Sequence, residues 1–201
     1  MLQGGGDTGR ALDGKTLRGS KKQGAWGTHL LSVVSQRGGL TVQQEAVDDK
    51  TNEIGALRTL LGTLVLQGHV FTMDALLTPR DLAAQIVAGG GDDVQVAKDN
   101  QTRLKGDIAA VLATPSRLST LRRRATGTTR GHGRLDQRRI TVRTLRPGDC
   151  DWPAAAQVFR LTRTIVRLKT GEVRHETVYG VTSCSYERAS ARRLLTLTRG
   201  H

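Results

Sequence analysis

Two aspartates stand out by position. Asp13 lies in Leu12-Asp-Gly-Lys15 and Asp74 in Thr72-Met-Asp-Ala75, 61 residues apart. Each closes a short strand-like run. Placed at the ends of neighbouring strands, the two carboxylates would face one another. Such a pair repels unless a divalent cation sits between its members. Hard oxygen ligands favour Mg²⁺ or Mn²⁺. Two such ions, with a third acid and a substrate phosphate as further ligands, would activate water and stabilise a leaving oxygen. Spacing alone favours an Asp-Gly turn at Asp13 and a helix cap at Asp74, since Asp at strand ends is common. A second group is cationic: Arg122-Arg-Arg124, with Arg130 and Arg134. It would line a phosphate track, or form a mobile charged loop, since no aromatic residue interleaves with it.

The elements that must position these residues can be read from pattern. Residues 10–14 form a short strand. Residues 28–35 are apolar and β-branched, and 40–47 alternate apolar with polar, so an antiparallel meander of three strands is expected. Asn52 and Glu53 start a helix running to about Leu66, with Ile54, Leu57, Leu60, Leu61 and Leu64 on one stripe. Val70–Met73 is a short buried strand. Thr78-Pro79 starts a second helix, which ends near Gly89-Gly-Gly91. Residues 94–97 are a strand and 102–112 a helix. Alternating strands and helices over 52–112 predict an α/β mixed sheet flanked by helices. A polar, Gly/Thr/Arg-rich loop follows over 114–133. Strands are then expected at 134–145, 157–169 and 172–182, with a hairpin at Thr170-Gly171. A closing helix is expected over 187–198. There is no internal repeat.

Composition narrows the partners. The chain has 201 residues, 31 Lys plus Arg and 18 Asp plus Glu, a net charge of +13. Residues 1–100 are nearly balanced, with 10 basic and 11 acidic side chains, whereas residues 101–201 carry 21 and 7. In that second half only Lys105 and Lys169 are lysines; the rest are arginines, the side chain suited to bidentate phosphate contacts. This asymmetry points to a polyanion, most simply nucleic acid, although a GC-rich genome and a soluble surface would leave a similar Arg-rich mark. Two cysteines exclude a disulfide scaffold and a four-Cys zinc site. A reduced, cytoplasmic setting is expected. No apolar run is long enough to span a membrane, and no signal peptide is visible. His29, His69 and His175 lack metal-ligand spacing, and Trp26 and Trp152 read as packing residues.

Several segments together resemble one family. Ala11-Leu-Asp-Gly-Lys-Thr-Leu-Arg-Gly-Ser20 is similar to the start of the catalytic domain of bacterial insertion-sequence DDE transposases of the H-repeat-associated type. Val47-Asp-Asp-Lys-Thr-Asn-Glu-Ile54 resembles that family's V-x-x-K-S-N-E-I segment. Phe71-Thr-Met-Asp-Ala75 resembles its strand bearing the second acid. Gly90-Gly-Asp92 with Val96-Ala-Lys-Asp-Asn-Gln101 resembles its G-G-D-Y-x-x-x-x-K-x-N-Q segment, and Gly131-His-Gly-Arg-Leu-Asp-Gln-Arg-Arg139 its H-G-R-I-E-x-R-R segment. The matches run in order along nearly the whole chain.

The resemblance implies an RNase H-like fold with a β-rich C-terminal insertion. It divides the chain into a partial catalytic core at 1–113, a basic loop at 114–133, and at 134–201 the insertion with the start of a C-terminal helix. It implies DNA transposition by metal-dependent strand cleavage and transfer, with Asp13 and Asp74 holding Mg²⁺ or Mn²⁺. The partner would be double-stranded DNA at transposon ends, with a homo-oligomer left open and no membrane. The family's third acid is a Glu in an H-W-x-I-E-N segment, where this chain reaches Arg199-Gly-His201. Asp136, aligned with a Glu of the H-G-R-I-E segment, is the remaining candidate.

Truncation at both ends and an impaired catalyst are therefore expected. Asp93, where the family has Tyr, and Gln95, in an apolar strand, point the same way, since a buried unpaired polar group costs roughly 1–3 kcal/mol. Lys15, Lys98, Asn100, Gln101, Arg122, Arg123, Arg124 and Arg134 are the expected DNA contacts. His132 is either a further contact or simply exposed. The competing expectations are a non-catalytic DNA-binding remnant and an unstable product with no function of its own.

Overall fold

The computed structural model describes residues 8–16, 29–47, 53–73, 80–97, 99–114 and 122–200. They form two compact units, one reaching Asp93 and including Gly200, the other Val94–Arg199.

The first unit holds β1 (Gly9–Thr16), β2 (His29–Ser35), β3 (Thr41–Val47), α1 (Glu53–Gly62), β4 (Val70–Met73) and α2 (Arg80–Ala88). The expected meander is present: β1, β2 and β3 pair antiparallel, with a register irregularity at Val33/Val34. β4 then pairs with β1 in parallel, from Gly9↔Val70 to Leu12↔Met73. The order is β3-β2-β1-β4, a mixed sheet. Strict alternation in β2 buries His29, Leu31, Val33 and Ser35. Leu31 and Val33 join Leu12, Phe71 and Met73 in a core closed by Leu57, Leu60 and Leu61 of α1 and Leu82 and Ile86 of α2. α1 stops at Gly62, short of the expected Leu66. The expected start of α2 at Thr78-Pro79 lies outside the described residues, as does Trp26.

The second unit takes up β5 (Asp92–Ala97) from Val94 onward. It adds a short 3₁₀ turn (Asp99–Gln101), α3 (Thr102–Ala113), β6 (Arg122–Gly131), β7 (Arg134–Thr144), β8 (Gln157–Arg167), β9 (Val173–Thr182) and α4 (Ala191–Leu197). Its order is β5-β9-β8-β7-β6, antiparallel throughout. Where a loop is expected over 114–133, a strand is found from 122 to 131, and residues 115–121 lie outside the described residues. Residues 122–131 are a full strand, paired with β7 along its length. The intervening turn has positive φ at His132 (49°) and Gly133 (70°), the geometry of a tight two-residue hairpin. α4 begins at Ala191 rather than 187, capped by Ser190, whose side chain accepts from the Arg193 backbone N–H.

The period-2 alternation of strands gives this sheet two distinct faces. α4 packs against β6 and β7 on the face bearing Arg123, Gly127, Asp136, Ile140 and Phe159, and a Cβ on Gly127 would stand 3.4 Å from Leu195. α3 packs against β7, β8 and β9 on the other face, where Val158 and Val181 are buried. Arg143 donates there to the carbonyls of Val111 and Thr114 at the end of α3. Gln95, opposite Val181, is 1% exposed, and neither amide atom has a hydrogen-bond partner among the described residues. The expected unpaired polar group in β5 is therefore present.

Candidate functional site

Asp13 sits on β1 opposite Ser32 of β2. Leu12 points into the core, so Asp13 projects from the other face, with its side chain 42% exposed. The Nζ of Lys15, two residues on and on the same face, lies 2.9 Å from its Oδ2. The hydrogen bond to Asp13, then its charge, hold the Lys15 ammonium above the ordinary lysine value. Lys15 is thus partnered with the acid rather than a free cation. Asp74, Asp13's expected companion, lies outside the described residues. The described register ends at Leu12↔Met73, one residue short of each aspartate.

Beneath this edge His29, which has no role by sequence pattern, pairs with Glu53 of the helix start. His29, 5% exposed, opens β2 on the core face. Its Nε2 is 2.5 Å from Oε1 of Glu53 in the first turn of α1. Gly14, the residue after Asp13, lies directly over them. A Cβ there would stand 2.6 Å from Glu53 Oε1 and 2.9 Å from His29 Nε2. The signal was available in part, because alternation with Leu31 and Val33 puts His29 on the buried face.

Asp136 is not an open carboxylate. Arg163 donates from Nε to Oδ1 and Oδ2 (3.1 and 2.9 Å) and from Nη2 to Oδ2 (2.7 Å). Arg138 adds Nη2 to Oδ2 at 3.1 Å. The side chain is 13% exposed. The Arg163 hydrogen bond is the main cause holding its carboxyl below the usual aspartate value, with Arg138 helping against the cost of burial. Both oxygens are occupied by guanidinium groups, so Asp136 is the centre of a structural clamp rather than an open ligand. Among the described residues no group of three or more His, Cys, Asp or Glu side chains could hold a metal ion. Asp13 offers one hard oxygen donor of the right kind.

The expected cationic track is divided by strand geometry. Successive residues of β6 face opposite sides. Arg123 lies 3.6 Å over the ring of Tyr186 on the α4 face, a cation–π contact, while Arg124 is exposed on the opposite face. Arg134 is exposed where the hairpin turns into β7, and His132 is exposed in the turn itself. Gln101 is the half-buried N-cap residue of α3, with no side-chain cap bond. Lys98 lies outside the described residues, as do the side chains of Asn100 and Arg122. No helix among the described residues is long and apolar enough to cross a membrane.

No family model matches the chain. A curated protein of Xanthobacter autotrophicus, "Uncharacterized protein in dhlA 3'region", is 36% identical over 150 residues, 71% of this chain and 50% of its own length. The Escherichia coli K12 "H repeat-associated putative transposase YhhI" is 39% identical over 98 residues, 47% of this chain and 25% of its own. The chain thus spans half or less of these relatives. The solved piggyBac transposase synaptic complex with hairpin DNA aligns over 88% of this chain and 33% of its own, at 10% identity and a TM-score of 0.44. Over about 47% of its length the chain is thus similar to bacterial H repeat-associated putative transposases.

Proposed function

We propose that this chain serves DNA transposition, as the part of an RNase H-like DDE transposase that carries its first two acids, Asp13 and Asp74. The carrying observation is the parallel register of β1 with β4. Leu12 is the partner of Met73, and an aspartate follows each in sequence. The order β3-β2-β1-β4, a meander with a parallel strand added beside β1, supports the RNase H-like reading, as does the homology to putative transposases.

On this reading Asp13 and Asp74 hold Mg²⁺ or Mn²⁺. When bound, such an ion supplies Lewis-acid polarisation of a phosphodiester and lowers the pKa of its water. This chain's own residues orient the edge. Leu12 anchors β1 in the core, and the missing side chain at Gly14 lets the backbone rest on the His29–Glu53 pair. Lys15 balances the Asp13 charge and is released toward substrate phosphate once Asp13 is engaged elsewhere.

The test is Mn²⁺ binding by electron paramagnetic resonance, together with nicking of supercoiled plasmid. Wild type binds Mn²⁺, while Asp13→Asn and Asp74→Asn each lose it, and any nicking disappears with it. Undiminished Mn²⁺ binding by both variants would refute the assignment. A second reading, DNA binding without cleavage, is favoured by the occupied state of Asp136. It predicts Mn²⁺ binding with intact plasmid.

A further inference from the structure

The two faces of the sheet β6–β9 carry their charges unequally. Its strands contain two acids, Asp136 and Glu176. Asp136 is in register with Ile165, and Glu176 with Arg163. Both therefore point to the face that α4 covers, and both lie against Arg163, Asp136 at 2.7 Å and Glu176 at 4.0 Å. The opposite face has no acid on any of these four strands.

What that face does carry follows from the same register. Arg124, Thr141, Arg160 and Tyr179 form one cross-strand row, and Thr126, Arg139, Thr162 and Thr177 the next. Thr128, Gln137 and Thr164 extend it. Arg124, Arg139 and Arg160 are exposed, and none is in an ion pair among the described residues. Beside Arg139 lies a hollow of about 410 Å³, lined also by Thr126, Thr128, Gln137, Thr162 and Thr164. α3 lies on this face over β7–β9. It brings Arg103, Lys105 and Asp107, with Lys105 turned to Asp99 at 2.7 Å.

We infer that this Thr/Arg face is a docking surface for the phosphodiester backbone of a DNA duplex. The inference rests on the nucleic-acid reading above and assigns it a place that neither the loop reading nor the carboxylate edge supplied. The chemistry selects the partner. Guanidinium forks and hydroxyl donors are the groups that contact phosphate and sugar rather than base edges. The hollow presents no aromatic platform on which unpaired bases would stack, and no apolar anchor of the kind a bilayer surface requires. The dimensions suit a duplex. Arg124 to Arg130 spans six residue steps, about 20 Å at the strand rise, close to six nucleotides of one DNA strand at about 3.4 Å each.

The experiment is fluorescence anisotropy of the full chain with a labelled 20-base-pair DNA duplex across a salt series. Each phosphate neutralised contributes about −0.9 to the log–log slope. Arg124→Gln, Arg139→Gln and Arg160→Gln should each make the slope shallower by about 0.9, and the triple variant by about three times as much. Arg174→Gln, an equal charge loss on the α4 face, should leave the slope at the wild-type value. Arg139→Lys should restore most of it, which separates charge from misfolding. Slopes for the three variants that match Arg174→Gln overturn the face assignment while leaving DNA as partner. No binding by wild type overturns both. Preferential displacement by an RNA duplex of the same sequence overturns the choice of DNA.

Discussion

Replacing Asp136 with Asn separates a structural clamp from a metal ligand. The carboxylate is 13% exposed and sits between Arg138, 16% exposed, and Arg163, 36% exposed. Neutralising it leaves two guanidinium groups close together, with Glu176, 4.0 Å from Arg163, as the remaining nearby counter-charge among the described residues. Removing one member of a fully buried pair costs about 3–5 kcal/mol. Arg163 is open enough for water to screen part of that loss, so about 2 kcal/mol is expected. In a chain of this size, Tm should fall by about 4–8 °C.

The effect carries a pH signature. The folded-state pKa of Asp136 is depressed by its hydrogen bonds to Arg163 and then Arg138. Its contribution is therefore fully present above the unfolded aspartate value of about 3.9 and is lost as pH falls through the lower folded value. Circular-dichroism melts should show the wild type ahead of Asp136→Asn at pH 5–7, with the two converging as the pH drops below about 4. An unchanged Tm at pH 7, accompanied by loss of Mn²⁺ affinity, would refute the clamp and restore Asp136 as a ligand.

Four further outcomes follow from packing. Gln95→Met keeps the shape of the side chain and removes an amide with no partner among the described residues, so denaturant melts should show a gain of about 1–2 kcal/mol. At Gly180 a Cβ would drive into the Phe159 ring and the Gln95 carbonyl; Gly180→Ala should lose about 1–3 kcal/mol. Gly106, in the middle of α3 with open space around it, should gain about 0.5–1 kcal/mol as Ala in the same melts. Gly14→Ala would displace the His29–Glu53 pair at a cost of about 1–3 kcal/mol, read as lower stability and, in a crystal structure of the variant, as a separated pair.

Legibility followed the hydrophobic pattern. β2 and β4 announced themselves because their burial is local: alternation in His29–Ser35 and a wholly buried run in Val70–Met73. β6 did not. Arg122–Gly131 has Ala125 as its single apolar side chain beside its glycines, so periodicity has nothing to register. It is a strand because β7 supplies the partner hydrogen bonds and because the His132-Gly133 turn reverses the chain with the twist that a hairpin needs. Gly-His-Gly was visible in the sequence, but a His at positive φ is uncommon. At the site, Asp13 could be read from its own strand. The His29–Glu53 contact could not, since it joins residues 24 apart through the direction in which α1 leaves the sheet. The surroundings of Asp136 were hidden for a related reason. Its neighbours in sequence suggest an acid in a conspicuous motif, whereas its chemistry is set by Arg163, 27 residues away on β8.

The same hairpin decides where the charge goes. With a side-chain period of two, a slip of one residue between paired strands would exchange faces. Asp136 would then join the threonines of β6 and β8 while Arg139 crossed to the α4 side, and Arg163 would lose its nearest counter-ion. A turn of two positive-φ residues fixes the register at Gly131↔Arg134 and hence at every pair back to Arg122↔Arg143. Segregating both acids to the α4 side thus stabilises that side through Arg163 and leaves the other face of these four strands without an acid. Lengthening the turn by one glycine after Gly133 tests this coupling. The register hypothesis expects the Asp136–Arg163 stabilisation and the salt slope on duplex DNA to change together. A changed slope with an unshifted melt would show that the two faces are set independently.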